Sequence, residues 1–224
     1  MHLLFHLILL FIFLRILFQY LIPKHLKSNN SLKDFKNREL LISLIPSTIH
    51  AFLVTVFIIL GIYTKTLEQV DHYITSFSVA YFIYDILAIL LLSKLDHNNI
   101  IYIGHHVTST LTIIIQQLYP EIIPIHIGIF LILTEVTVGP MNLQWLIEKY
   151  CDLKKYDKMY RRLMFFNIIL HFVFRILLCH YGLFNAIYYK YQICVLIFCP
   201  FIWMNSVWFV KLFKKYKGIH VVIC

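Results

Sequence analysis

The chain is predicted to be an all-helical protein that crosses a membrane several times, and three observations predict it. Sixty per cent of the 224 residues are hydrophobic and only 14 per cent are charged. Mean hydropathy is +0.77. The apolar residues fall into seven runs, each near the ~20 residues that a bilayer-crossing helix needs. A soluble domain carries roughly 25 per cent charged residues and could not cover this much apolar surface. In lipid, backbone groups are satisfied only in helices or closed barrels, and unbroken apolar runs of this length read as helices.

The seven expected helices are 2–22, 40–63, 74–93, 100–119, 122–147, 163–182 and 190–213. The first lacks a charged leading region and a small-residue cleavage site, so it reads as a retained helix rather than a signal peptide. Arg15 interrupts it near its end, where a long side chain can snorkel to the head groups. The second contains His50, the third Asp85, and the fourth opens on the adjacent pair His105 and His106. The fifth carries Glu135 and Asn142, the sixth His171 and Arg175, and the seventh Asn205 and Trp208. No internal repeat or Pro/Gly-rich linker divides the chain. The expected organisation is an N-terminal helix with a basic linker over 1–37, one helical domain over 38–218, and a tail over 219–224.

The basic residues predict the orientation. Lys24, Lys27, Lys33, Lys36 and Arg38 follow the first helix, and Lys94 follows the third. Lys149, Lys154, Lys155, Lys158, Arg161 and Arg162 follow the fifth, and Lys211, Lys214, Lys215 and Lys217 close the seventh. That is sixteen of the twenty Lys and Arg on one side; Lys65 and Lys190 lie on the other, and Arg15 and Arg175 lie inside helices. The expected N-terminus is therefore lumenal or outside and the C-terminus cytoplasmic. The net charge of +9 is accounted for by this topology and by anionic head groups, so nucleic acid is not an expected partner. Among the five cysteines, Cys179 and Cys194 fall near the lumenal ends of consecutive helices. Their positions admit a disulfide, or two small residues packed within the membrane.

A rise of about 1.5 Å per residue converts position into depth from the cytoplasmic face. His105 and His106 come out at ~8 to 9 Å, Asn142 at ~8 Å, and Asp85, His171 and Asn205 at ~12 Å. His50 lies at ~15 Å, and Glu135 and Arg175 at ~18 to 20 Å. Ionisable groups scattered against lipid would each cost on the order of 2.5–3.5 kcal/mol, so they are expected to gather inside the bundle. The expected arrangement is a cytoplasm-facing polar cavity, with a Glu135–Arg175 ion pair at its floor. Neighbours on a helix lie about 100° apart, so one of the two histidines should face the cavity and the other a neighbouring helix. Adjacent histidines do not have the i,i+4 spacing of helical metal ligands, and no metal is expected. A histidine beside a carboxylate suits proton transfer or nucleophilic work, with His105, His106 and Asp85 as candidate catalytic residues. The same residues could also serve only to hold helices together.

The ordered segments resemble the TLC-domain family, which includes ceramide synthases, the translocating-chain-associating proteins, the ceroid-lipofuscinosis type and smaller members. "NRELLISLIPSTIHAF" resembles the family's second-helix segment, "VAYFIYDILAILL" the pattern ending in an intramembrane Asp, and "IGHHVTSTL" the double histidine. "LILTEVTVGPMNLQWLIEK", "FFNIILHFVFRIL" and "MNSVWFVKLFKKYKG" resemble the later segments, in that order. The resemblance runs from about residue 38 to 218. It implies a six-helix barrel with an extra N-terminal helix, enclosing a cavity of acyl-chain size; His50, Asn142, His171 and Asn205, placed by depth, are expected to line it, with Trp208 of the last matched segment. It implies acyl transfer from acyl-CoA to a membrane lipid, with no bound cofactor, at the endoplasmic reticulum or another endomembrane. Where ceramide synthases carry a His-Asp and a second Asp, this chain has Glu135, Thr137 and Asn142, which argues against ceramide synthesis itself. The alternative that the smaller relatives imply is a non-catalytic role in lipid binding, membrane composition or trafficking. A seven-helix receptor is disfavoured by the lack of a DRY-like triad and an NPxxY-like stretch.

Overall fold

The computed structural model describes residues 2–22, 34–92 and 97–218, and all regular structure among them is helical. The order is α1 (His2–Leu21), α2 (Asp34–Thr64), α3 (Leu67–Leu92), α4 (His97–Leu118) and α5 (Ile125–Ile132). A 3₁₀ turn (Leu133–Thr137) then leads into α6 (Val138–Tyr150). α7 (Leu153–Leu170) passes through a π-helical segment (His171–Leu177) into α8 (Leu178–Tyr188), and α9 (Gln192–Tyr216) completes the bundle. Among the described residues, six helical spans are long and apolar enough to cross a membrane: Leu3–Leu21, Arg38–Thr64, Leu67–Leu91, Ile127–Tyr150, Lys155–Tyr188 and Gln192–Tyr216. The protein is integral to the membrane.

α4 is not among the six, and its side chains explain why. His105, His106, Ser109, Thr112 and Gln116 are buried, whereas Tyr102, Val107, Leu111, Ile114 and Leu118 face outward. A helix with a polar stripe turned into the bundle has a lower average hydropathy than its outward face has. Its 22 residues still give a length of about 33 Å, enough for a hydrocarbon core.

Several helices begin earlier than expected. α3 starts at Leu67 rather than 74, because buried Asp71 is satisfied by Gln117 Nε2 at 3.1 Å and approached by Gln116 Nε2 at 3.4 Å. α7 starts at Leu153 rather than 163, carrying the basic turn with it and bending at Tyr156. The expected fifth helix is two helices: Pro124 caps α5, and the 3₁₀ turn separates it from α6. In that turn the hydroxyls of Thr134 and Thr137 donate to Leu131 O and Thr134 O, three residues back. Pro140 falls in the first turn of α6, where its missing N–H leaves no gap in the ladder.

α1 lies against α3, with Phe11 fully buried among Phe77, Tyr81 and Tyr84. Arg15 does not snorkel outward; it is buried and donates to Ser43 Oγ at 2.7 Å and Glu39 Oε2 at 3.1 Å on α2. Arg38 closes the same corner by donating to the carbonyls of Gln19 and Ile22 at the end of α1. A second core joins α5, α8 and α9 through Ile127, Ala186, Phe198 and Phe201. Gly182 is required there, because a Cβ would stand 2.4 Å from the Phe198 ring. Cys179 and Cys194 are both free thiols and form no disulfide. Cys194 Sγ donates to Ile122 O, and Cys179 Sγ accepts from Asn205 Nδ2.

Of the basic residues used to predict orientation, Lys24, Lys27, Lys33 and Lys94 lie outside the described residues, as do the side chains of Lys36 and Lys154. The first half of α7 and the end of α9 meet at Glu148, which Tyr160 and Lys215 share, and Phe165 follows with its ring centroid 6.1 Å from that of Tyr216. Their basic residues therefore share one end of the molecule.

Candidate intramembrane histidine site

α3 and α4 are packed side by side, which brings Asp85 to the second of the paired histidines. His106 Nε2 lies 2.8 Å from Asp85 Oδ2. Phe82 stacks on the His106 ring at 5.0 Å, and Tyr81 meets it edge-on at 5.9 Å. With the Nε2–H donated to Asp85, the tautomer leaves Nδ1 with a lone pair. That Nδ1 is buried and has no hydrogen-bond partner among the described residues.

His105 turns to a different carboxylate. Its Nε2 is 3.8 Å from Glu135 Oε1, and its ring rests edge-on to Phe201 and Trp208 of α9. Both rings are only 6 per cent exposed, with centroids 5.3 Å apart. The expected division into one cavity-facing and one packing histidine is thus replaced by two inward rings, each beside its own carboxylate. Their separation follows from the 100° step between neighbours on α4.

Glu135 reaches this position because the 3₁₀ turn tightens the chain and directs Thr134, Glu135 and Thr137 inward together. Its other oxygen stands 3.9 Å from His50 Nδ1 on α2. His50 is fully buried, lies near-parallel to the Tyr81 ring at 4.2 Å, and bonds Ser78 Oγ through Nε2 at 3.2 Å. Glu135 thus lies between two imidazoles on different helices.

Arg175 does not contact Glu135 within 4.0 Å, so the expected direct ion pair is replaced by another arrangement. Arg175 Nε donates to Thr137 Oγ1 at 2.7 Å and Nη1 to Asn205 Oδ1 at 3.3 Å. Its guanidinium lies over Trp208 at 5.4 Å, and Trp208 also stacks on Tyr102 at 5.5 Å. The π-helical segment supports this placement by directing His171 and Arg175 inward, four residues apart. His171 donates through Nε2 to the Asn205 carbonyl at 3.1 Å. Asn205 therefore ties both residues to α9.

The remaining candidate, Asn142, stands apart from this cluster. Its Nδ2 donates to Thr48 Oγ1 at 2.9 Å and to Leu44 O at 3.4 Å, which fastens α6 to α2. The space beside Glu135, lined by Phe82, Ser109, Thr112, Gly128 and Leu131 among others, has a volume of about 10 Å³. That is of the order of one water molecule, well short of the expected acyl-chain cavity. Ser78, Tyr81 and Thr137 complete the cluster; Thr137 enters the sequence reading only as a departure from the ceramide-synthase pattern, and Ser78 and Tyr81 do not enter it. Ser78 and Tyr81 precede Asp85 by seven and four residues, so helical spacing could have placed all three on one face.

The cluster holds two carboxylates, one guanidinium and four imidazoles within a helical membrane bundle. The class is a polytopic helical membrane protein with a buried histidine–carboxylate site. The TLC domain family model matches residues 41–217, well over half of the chain, and the protein belongs to that family. No curated protein and no solved structure matches it.

Proposed function

We propose that this TLC-domain protein acts in membrane lipid metabolism by transferring an acyl group from acyl-CoA to a lipid acceptor at the His106–Asp85 pair. The observation that carries the reading is the 2.8 Å bond from His106 Nε2 to Asp85, together with the unpartnered Nδ1 of the same ring. Nδ1 takes the proton from the acceptor hydroxyl or amine as that atom attacks the thioester carbonyl. The C–S bond breaks, the proton passes from Nδ1 to the departing thiolate, and the products are the acylated lipid and CoA. Asp85 holds the ring in the required tautomer and stabilises the imidazolium. His105, set by Glu135 and Trp208, lines the approach. In this reading α4 is a seventh crossing, the family barrel opens to the cytoplasm at the basic end, and the protein resides in the endoplasmic reticulum or a related endomembrane.

The second reading is a lipid-binding or trafficking role without turnover. It is favoured by the 10 Å³ of space beside Glu135, which requires helix movement before an acyl chain can enter.

Lipid profiles and in vitro transfer from a panel of acyl-CoAs separate the two. His106→Ala should abolish transfer while membrane abundance holds, and Asp85→Asn should slow it by orders of magnitude, as loss of an orienting carboxylate does elsewhere. A purified protein that retains lipid but transfers no acyl group, or a His105→Ala/His106→Ala variant with an unaltered cellular lipid profile, would exclude the catalytic reading.

A further inference from the structure

At the basic end, the start of α7 and the end of α9 enclose an open groove that the histidine site does not use. Its volume is about 310 Å³, and Asp157, Lys158, Arg161, Arg162, Phe165 and Tyr216 line it. The helical period brings Lys158, Arg161 and Arg162 to one face of α7 at spacings i, i+3 and i+4. Arg161 Nε donates to both Asp157 oxygens, at 3.0 and 2.9 Å, so that cation is answered within the groove. Lys158 and Arg162 form no ion pair among the described residues. The groove thus presents two uncompensated positive charges.

Its walls are fixed by a neighbouring network. Glu148 at the end of α6 accepts from both Tyr160 on α7 and Lys215 on α9. Gln144 donates to the same carboxylate at 3.1 Å and accepts from Asn167 Nδ2 at 2.6 Å. Three helices are therefore pinned together directly behind the groove.

Depth selects the ligand. Lys158, Arg161 and Arg162 all fall in the first eight residues of the span Lys155–Tyr188, and Phe165 and Phe166 face outward just past them, toward its apolar remainder. Aromatic rings below and cations above mark a membrane–water boundary. An anion seated on Lys158 and Arg162 lies at head-group level, and anything attached to it continues down past Phe165 into the hydrocarbon. We propose that this groove binds the phosphate-bearing head group of an anionic phospholipid. Arg162 offers its planar fork to the phosphate oxygens and Lys158 a point charge, while Phe165 lies along the start of an acyl chain.

The test uses the full chain purified in detergent, with bound lipid counted by native mass spectrometry. Phosphatidylinositol phosphate is the probe, phosphatidylcholine the zwitterionic reference, and inorganic phosphate and free CoA the soluble competitors. Lys158→Gln/Arg162→Gln should lower retention of the anionic lipid about tenfold. Lys214→Gln/Lys217→Gln removes the same charge from the same end outside the groove and should leave retention near that of the parent. All four side chains are exposed, so melting temperatures should be unchanged. Equal retention of the two lipids, equal loss in both double variants, or no loss in the first would overturn the proposal. Displacement of the lipid by phosphate or CoA at micromolar concentration would assign the groove to a soluble anion instead.

Discussion

Arg175 keeps its charge inside the bundle through partners that share it: the Thr137 hydroxyl, the Asn205 carboxamide and the face of Trp208. Thr137→Val should leave a buried charged donor without its partner and cost about 1–3 kcal/mol. In an Arg175→Met background the same substitution should cost much less, with a coupling of about 0.5–3 kcal/mol in a double-mutant cycle measured by thermal unfolding in detergent. Additive losses would show that the 2.7 Å bond is energetically idle. The sequence made the meeting of Asp85 with one of the paired histidines legible, because depth along two adjacent helices put them within a turn of each other; that the partner is His106 only the packing of α3 on α4 decides. It did not make the partners of Arg175 legible, although Glu135 stood at the same depth. Depth orders residues by height and says nothing about the direction each side chain takes around its helix. For Glu135 and Arg175 that direction is set by a 3₁₀ turn and a π-helical segment, which hydropathy does not register.

At the scale of helices, the apolar runs located every column, and the missed parts are polar. The extra turns of α3 and α7 were left out because Asp71 and the basic residues lower the local average, yet Asp71 is held by Gln117. α4 shows the converse, a helix with a wet stripe inside and a dry one outside, for which periodicity is more informative than mean apolarity. Packing between elements gives a sharper test at Gly182. Adding a methyl there places Cβ 2.4 Å from Phe198 Cζ and 2.7 Å from Cε1. A buried ring in a filled core has little room to retreat, so Gly182→Ala should destabilise the α8–α9 contact by about 1–3 kcal/mol. Phe198→Leu should recover part of the loss in melting temperature, and a Gly182→Ala protein as stable as its parent would show that the two helices can separate cheaply.

For the whole molecule, the charge distribution and the number of crossings are separate statements that must agree. Sixteen of twenty basic residues on one side predict a cytoplasmic C-terminus. Among the described residues six spans pass on length and apolarity, and counting α4 as a crossing gives seven, which places the two termini on opposite sides. A C-terminal epitope should therefore be accessible once the plasma membrane alone is permeabilised, whereas an N-terminal one should require opening of the internal membrane. If both epitopes become accessible together, α4 does not cross. The histidines would then sit on a helix that dips into the bundle from one face, and the depth assigned to the site would have to be redrawn.

The π-helical stretch at His171–Leu177 has a bearing on how this chain can change length. Hydrogen bonds closing over five residues instead of four accommodate one more residue in a turn than the helices on either side do. Without that widening, one added residue would swing everything beyond it by about 100°. The stretch therefore lets two fittings coexist on one span: His171 and Arg175 reach Asn205, and eleven residues past His171, Gly182 still receives Phe198. Deleting outward-facing Val173 would restore ordinary helical closure and look harmless in an alignment, yet it would force the span to give up one fitting or the other. Length here is a coded quantity, and an indel at 171–177 is a change of address for every side chain downstream.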